Sequence, residues 1–121
     1  MSDQEAQTPI FTKTYDFLAW LIPLTDHFPR SHRHTVTRRL LDAAFNWLER
    51  LIEANGLRGR ERLRLLQAAD AEMDKIRHYL RLIHHWRWIS PGQYEHAGRL
   101  VAELGRLLGG WQKVTGQSAA G

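Results

Sequence analysis

The sequence predicts an all-α protein, an antiparallel up-down four-helix bundle, from three observations. Apolar residues recur at intervals of three and four along four segments of the chain. Short breaks containing Pro, Gly or Ser separate these segments, and no stretch shows the strict alternation of a half-buried strand. The chain has 121 residues, of which 43% are hydrophobic, and this is enough for one domain with its own core.

The first helix is predicted over residues 12–28, where one face repeats at helical spacing. That face consists of Phe17, Leu21, Leu24 and Phe28. Pro23 lies inside the pattern and predicts a kink, because proline removes the hydrogen bond to the Ala19 carbonyl. Pro29 then ends the helix.

The second helix is predicted from the break at residues 29–31 to Asn55, with Gly56 as its stop. It carries two apolar stripes that differ by one residue in register. The first stripe is Leu40, Ala44, Trp47 and Leu51, and the second is Leu41, Phe45, Leu48 and Ile52. Because a surface helix needs only one apolar stripe, we expect this helix to contact more than one neighbour.

The third and fourth helices are predicted to form an antiparallel hairpin. The third spans residues 59–88, and its seam is Leu66, Ala69, Met73, Ile76, Leu80 and Ile83. The fourth begins after Ser90, and its seam is Tyr94, Ala97, Val101, Leu104, Leu108 and Trp111. Both seams advance by alternating steps of 3 and 4, the spacing of a left-handed bundle. Ser90 and Gln93 are placed to form a capping box around Pro91.

A stripe of small residues follows one face of the fourth helix: Gly98, Ala102, Gly105 and Gly109. Each interior glycine costs a helix roughly 1 kcal/mol relative to alanine, so several together need a compensating contact. With the double stripe on the second helix, this favours a homo-oligomer with the small residues at the interface. Tight packing of the stripe inside one monomer is the alternative.

The domain organisation expected from these patterns is simple. Residues 12–114 form the bundle, and residues 1–11 and 115–121 are predicted to be flexible tails. No apolar run is long enough for a transmembrane helix, and the acidic start MSDQEAQTPI does not resemble a signal peptide. The absence of cysteine excludes a disulfide framework. We therefore expect a cytoplasmic protein without membrane association.

No motif of a catalytic or cofactor site is present. The serines lie in the tails or at predicted helix starts, where capping explains them better than nucleophilic chemistry. GxSxG, GxxxxGK[ST] and GxGxxG are all missing. The seven histidines occur without HExxH or a di-iron Glu-x-x-His pair. We predict no enzyme activity, cofactor, metal or small-molecule substrate.

The basic residues are mainly arginines in three clusters. The chain has 17 Lys and Arg against 13 Asp and Glu, a net charge of +4. Ten arginines are the candidates for binding nucleic acid or another partner: Arg30, Arg33, Arg38, Arg39, Arg58, Arg60, Arg62, Arg64, Arg77 and Arg81. Guanidinium groups suit phosphate contact that is independent of base sequence, and Trp86 and Trp88 beside the third cluster could stack on bases if exposed. The alternatives are solvated charged faces, with Asp74 paired to Arg77, and buried tryptophans.

Several short motifs resemble the Avd family, the accessory variability determinants of diversity-generating retroelements, within the wider group of small four-helix-bundle proteins. The resemblance covers residues 15–115. It rests on Tyr15 in the first helix, Phe28–His32 before the second, Leu80–Leu82 late in the third, Ser90–Glu95 opening the fourth, and Glu103–Trp111 at the close. The last block, ELGRLLGGW, is the most specific; proteins encoded within ribosomal RNA intervening sequences share parts of the pattern.

The resemblance implies a non-enzymatic partner of a reverse transcriptase. Avd-like proteins form a basic homopentameric barrel of four-helix subunits, bind the retroelement's reverse transcriptase and nucleic acid, and support mutagenic retrohoming. The implied partners are the reverse transcriptase, template RNA or cDNA, and further copies of the chain. The basic residues embedded in the shared motifs are Arg30, His32, Arg81 and Arg106. A general protein-interaction module without a nucleic-acid role is the alternative.

Overall fold

The computed structural model describes the backbone of residues 3–120 and the side chains of residues 7–119, and this part of the chain folds as a four-helix bundle. The helices are α1 (Asp3–Thr25), α2 (Arg38–Asn55), α3 (Gly59–His85) and α4 (Pro91–Ala120). Residues 3–120 contain no strand. The predicted fold class is confirmed.

The bounds of α1 and α4 differ from those predicted. α1 begins at Asp3 instead of Thr12, and it ends at Thr25, so Pro23 lies in its last turn instead of kinking a longer helix. α4 continues to Ala120. The helices thus extend through most of both predicted tails, whose flexibility stays a prediction; residues 1, 2 and 121 of those tails lie outside the described residues.

The connection between α1 and α2 contains two short helical turns that the sequence pattern did not predict. A 3₁₀ turn spans Arg30–His32, and a π-helical turn spans Arg33–Thr37. The predicted break at residues 29–31 is present, but regular α-helix resumes only at Arg38. A π turn is rare and occurs often at functional sites.

The core consists of the predicted seams. Every residue of the α3 seam is buried, and so is the α4 seam apart from the half-buried Tyr94. The first α2 stripe is completely buried. At its centre, the Trp47 indole Nε1–H donates a hydrogen bond of 2.9 Å to the Thr14 hydroxyl of α1, so the one polar atom of that indole is satisfied in the core.

Ring contacts show that α1 and α4 are antiparallel. Phe11 meets Trp111 with ring centroids 6.4 Å apart, and Trp20 meets His96 at 5.1 Å. The end of α1, the start of α2, the end of α3 and the start of α4 therefore lie together, and we call this the junction end of the bundle. The other end of the bundle, at the α2–α3 connection, is called the far end.

The turn into α4 has the predicted capping box. The Ser90 N–H donates to Gln93 Oε1 at 2.8 Å, and the Gln93 N–H donates to Ser90 Oγ at 3.1 Å. Pro91 is the first helical residue. This reciprocal pair satisfies two N–H groups that a helix start otherwise leaves unpaired, and it fixes the start of α4 beside the end of α3.

Candidate nucleic-acid interface

Seven of the ten candidate arginines are exposed and unpaired. Within the described residues, no carboxylate lies within 4.0 Å of their guanidinium groups. They are Arg30, Arg33, Arg39 and Arg81 at the junction end, and Arg58, Arg60 and Arg64 at the far end. With a rise of 1.5 Å per residue, the two groups are separated by about 30 Å along α3.

Arg62 is different from the other arginines of its cluster, because it is buried. Only 9% of it is exposed. Its Nε–H donates to the Ala54 carbonyl at 3.0 Å, and Nη2–H donates to the Asn55 carbonyl at 3.4 Å. The guanidinium also lies 5.6 Å from the ring centroid of Trp111. Arg62 thus caps the last carbonyls of α2 and joins three helices, and it is not part of the exposed arginine surface that the sequence predicted.

Two further candidates are exposed but have acidic partners on their own helices. The Arg77 guanidinium donates a hydrogen bond of 2.9 Å to the Asp74 carboxylate, which is the pairing that the sequence suggested as the alternative to a partner-binding role. Arg38 lies 3.7 Å from Asp42. Exposed pairs of this kind contribute little to stability, but each partner lowers the local positive charge.

The predicted small-residue stripe on α4 lies on the surface of the subunit. Among the described residues, a Cβ atom added at Gly98 or Gly109 would come within 4 Å of nothing beyond the adjacent backbone of α4, so no second backbone packs there inside the monomer. At Gly105 such an atom would come within 2.7 Å of the Arg77 guanidinium. The stripe is therefore open except where Arg77 covers its centre.

The second stripe of α2 is also left open by the bundle. Phe45 is 42% exposed and Ile52 is 54% exposed, while Leu41 and Leu48 are only partly buried. This is the helix that the sequence predicted to have more than one neighbour. Within one subunit, α2 has an apolar face that nothing in the described structure covers.

Aromatic side chains link the two connections at the junction end. Trp88 packs against Phe28 with ring centroids 5.5 Å apart, and the His32 imidazole stacks on it at 5.4 Å. Trp86 touches Trp88 at 5.4 Å and remains 46% exposed. The motif residue His32 therefore helps to hold the α1–α2 connection against the α3–α4 turn, and Trp86 is the tryptophan of this group that is exposed to solvent.

The α3–α4 turn contains the one non-glycine residue with a left-handed backbone among the described residues. Arg87 has a φ of 61°. The Arg87 N–H donates to the His84 carbonyl at 3.0 Å, and the Trp88 N–H donates to the Ile83 carbonyl at 2.9 Å. These bonds close α3 in the manner of a Schellman motif, whose left-handed position usually holds glycine. An arginine there costs on the order of 1 kcal/mol.

Two concave surfaces lie at the junction end. A cleft of about 700 Å³ beside the π turn is lined by Arg30, Arg33 and Arg38, but Asp26 and Asp42 line it as well. A groove of about 630 Å³ lies between the end of α3 and the start of α4. Its lining residues are Arg81, His84, His85, Arg87, Trp88, Ile89, Ser90 and Pro91. The groove contains no carboxylate, so its positive charge is uncompensated. The first cleft could not be predicted from the sequence, because the π turn that contributes to its lining has no local sequence signature.

Arg106, the basic residue of the closing motif, is paired with Glu103. The Glu103 carboxylate accepts hydrogen bonds from Arg106 Nε at 3.1 Å and Nη2 at 2.6 Å. Hydrogen bonding and attraction to Arg106 lower the pKa of Glu103, and the same contacts raise the pKa of Arg106. Arg106 is therefore a weaker candidate for phosphate contact than Arg30 or Arg81, the other two arginines in the shared motifs.

Two further findings concern the described residues. Their histidines and carboxylates form no group of three that could hold a metal ion. No helix in that part of the chain has the length and hydrophobicity to cross a membrane.

Comparison with known proteins places these features in a family. A solved structure from Bacteroides thetaiotaomicron VPI-5482, described as a protein of unknown function from the S23 ribosomal protein family, superposes with a TM-score of 0.80 at 18% identity, covering 89% of this chain and 98% of that chain. At this identity the likeness concerns the fold alone. No curated protein matches the sequence. The bAvd-like family matches residues 10–115, a segment that contains the predicted apolar faces of all four helices, the three connections and all ten candidate arginines. The chain therefore belongs to the bAvd-like family, as the sequence motifs predicted, and is an Avd-type accessory protein.

Proposed function

We propose that this protein is a non-enzymatic accessory subunit that binds a retroelement reverse transcriptase together with template RNA or cDNA, and so supports mutagenic retrohoming. The observation that carries the proposal is the set of seven exposed arginines that have no carboxylate partner in the part of the chain that the structure describes. Unpaired guanidinium groups retain their full capacity for bidentate phosphate contact, and they release bound counterions when they bind a polyanion.

The direct test is a salt titration of binding to a fluorescent single-stranded oligonucleotide. Phosphate contacts predict a linear fall of log affinity with log salt concentration between about 50 and 200 mM. Affinity for the reverse transcriptase is measured separately by co-purification of the two proteins. A protein-interaction module without a nucleic-acid role would bind a protein partner with little dependence on salt and would not bind the oligonucleotide.

Charge reversal at the far end tests whether the exposed arginines are the contacts. The variant Arg58→Glu, Arg60→Glu, Arg64→Glu leaves the buried Arg62 in place, so the fold is expected to persist. The matched control Lys75→Glu, Arg106→Glu, Lys113→Glu makes the same change in net charge and includes two cations that already have acidic partners. The first variant should lose most of its affinity at low salt, whereas the control should lose much less. Equal losses would mean that net charge, and not this surface, governs binding.

We further propose that the subunits assemble side by side as a homopentamer. The open α2 stripe and the open small-residue stripe of α4 support assembly, because both are surfaces that one subunit leaves uncovered. Phe45→Glu with Ile52→Glu should shift the mass measured by light scattering to that of a monomer. Gly98→Leu with Gly109→Leu tests the α4 stripe in the same way, since both side chains would enter open space within the subunit. A stripe whose variant retains the native mass is not an interface.

A further inference from the structure

The groove between α3 and α4 combines charge, curvature and an aromatic surface in one place. Arg81 and Arg87 are both exposed, and neither has a carboxylate partner among the described residues. His85 lies on the same lining and is also exposed. Because no acidic residue is found in the described lining of this groove, an anionic ligand would meet Arg81 near the end of α3 and Arg87 in the turn without displacing an existing ion pair.

Arg87 occupies a backbone position at which arginine is unfavourable. Glycine would adopt its φ of 61° without steric cost and would keep both hydrogen bonds that close α3. Side-chain contacts do not explain why arginine occupies this position. The Arg87 side chain is exposed, and it makes no hydrogen bond or ion pair within the described structure. The guanidinium itself is therefore the feature that this position supplies.

Trp86 provides a stacking surface at the edge of the groove, because it is exposed and its ring contacts Trp88, which belongs to the groove lining. It precedes Arg87 in the turn and rests against Trp88, which is held in turn by Phe28 and His32. The indole is thus supported on one side and exposed on the other. An exposed, supported indole beside two unpaired arginines matches the pattern by which proteins hold unpaired bases: aromatic stacking for the base and cations for the adjoining phosphates.

We infer that this groove and the adjoining Trp86 bind single-stranded nucleic acid, with an unpaired base stacked on Trp86 and neighbouring phosphates on Arg81 and Arg87. The inference rests on the proposed nucleic-acid function. It adds that the nucleic acid is single-stranded and that it binds at the α3–α4 turn. A duplex keeps its base faces stacked inside, so it could offer the groove only its phosphates.

The test compares two single-stranded fluorescent probes of equal length and charge, a dT12 strand and a 12-unit strand of abasic sites, with a blunt 12-base-pair duplex that carries about twice their charge. The wild-type protein should bind dT12 about tenfold more tightly than the abasic strand, because one stacked base contributes roughly that factor. Trp86→Ala should reduce this ratio to near one while leaving the affinity for the abasic strand unchanged. Trp86→Phe, which retains an aromatic face, should restore part of the ratio.

Arg87→Gly separates ligand binding from folding. This variant should unfold at a higher urea concentration than the wild type and yet bind dT12 several-fold more weakly, with a reduced salt slope. Lys113→Ala, which removes one exposed cation near the end of α4, serves as the control and should change dT12 affinity far less.

Each adverse result has a distinct meaning. If the wild type binds dT12 but Trp86→Ala binds it equally well, the groove is not the site and the nucleic-acid function stands. If the wild type binds no probe at low salt, the proposed function itself fails. If a labelled (Glu)12 peptide binds as tightly as dT12 and is lost in the same variants, the groove receives an acidic protein segment and the inference is overturned.

Discussion

At the scale of single residues, arginine side chains only two positions apart in α3 have different roles, one buried and structural and the others exposed. Arg60 and Arg64 extend into solvent, while Arg62 between them turns inward to the Ala54 carbonyl and the Trp111 ring. The difference follows the seam spacing, since one further step of four back from Leu66 places Arg62 on the buried face of α3, whereas Arg60 and Arg64 lie off it. Arg62 has hydrogen-bond partners on that face because α2 ends beside α3 and leaves carbonyl groups that need a donor.

Replacing Arg62 with alanine should destabilise the fold. The variant leaves buried carbonyls without a charged donor, so we expect the free energy of unfolding to fall by about 1.5–3 kcal/mol. Urea unfolding followed by circular dichroism measures this change. Arg60→Ala is the matched control and should change the same quantity by less than about 0.5 kcal/mol. Equal effects would show that the carbonyl contacts of Arg62 add nothing to stability.

Thr14 is a second residue whose role depends on one contact. Thr14→Val keeps the shape of the side chain but removes the acceptor for the Trp47 indole N–H, which would then be buried without a partner. We expect a loss of about 1–3 kcal/mol in unfolding free energy. Thr14→Ser retains the hydroxyl and should recover part of this loss. A Val variant as stable as the wild type would mean that the indole finds another acceptor.

At the scale of helices, the periodic elements could be predicted and their irregular ends could not. The α3 and α4 seams follow from a spacing that is local to each helix, and the capping box follows from four adjacent residues. The predicted start of α1 is wrong, because the helix begins nine residues earlier, at Asp3. Ile10 extends the apolar face of this helix toward its start, but the pattern is recognisable only if the polar Thr14 is counted as part of that face. Thr14 belongs there because Trp47 of another helix donates to it, a fact that no local pattern contains.

The α4 helix gives a prediction about its exposed glycines. Gly109→Ala adds a methyl group that meets no other atom within 4 Å and lies in a helix interior, so it should raise the unfolding free energy of an isolated subunit by about 0.5–1 kcal/mol. The measurement is urea unfolding at a protein concentration that keeps the subunits apart. A destabilised variant would contradict the open surface seen at this position.

At the scale of the whole molecule, topology decides which basic clusters act together. The clusters around Arg30 and Arg81 are some fifty residues apart in sequence, yet the up-down connectivity brings both to the junction end. The cluster around Arg60 lies at the far end, although it is nearer to Arg81 along the chain. The predicted up-down connectivity already implies this division, whereas the carbonyl contacts of Arg62 depend on how α2 and α3 pack.

The separation of the two ends sets a length requirement for a bound strand. A polyanion that contacts both Arg60 and Arg81 must span about 30 Å, which corresponds to roughly nine nucleotides for a strand that keeps the stacked spacing of about 3.4 Å per nucleotide. Oligonucleotides of five or six units should therefore engage one end only. Affinity should rise in a step near nine to ten units, as the second contact becomes intramolecular. Fluorescence anisotropy over a series from 4 to 16 nucleotides measures this step, and the variant with all three far-end arginines reversed should show a smooth rise without it. The long third helix would then act as a molecular ruler for the strand that it carries.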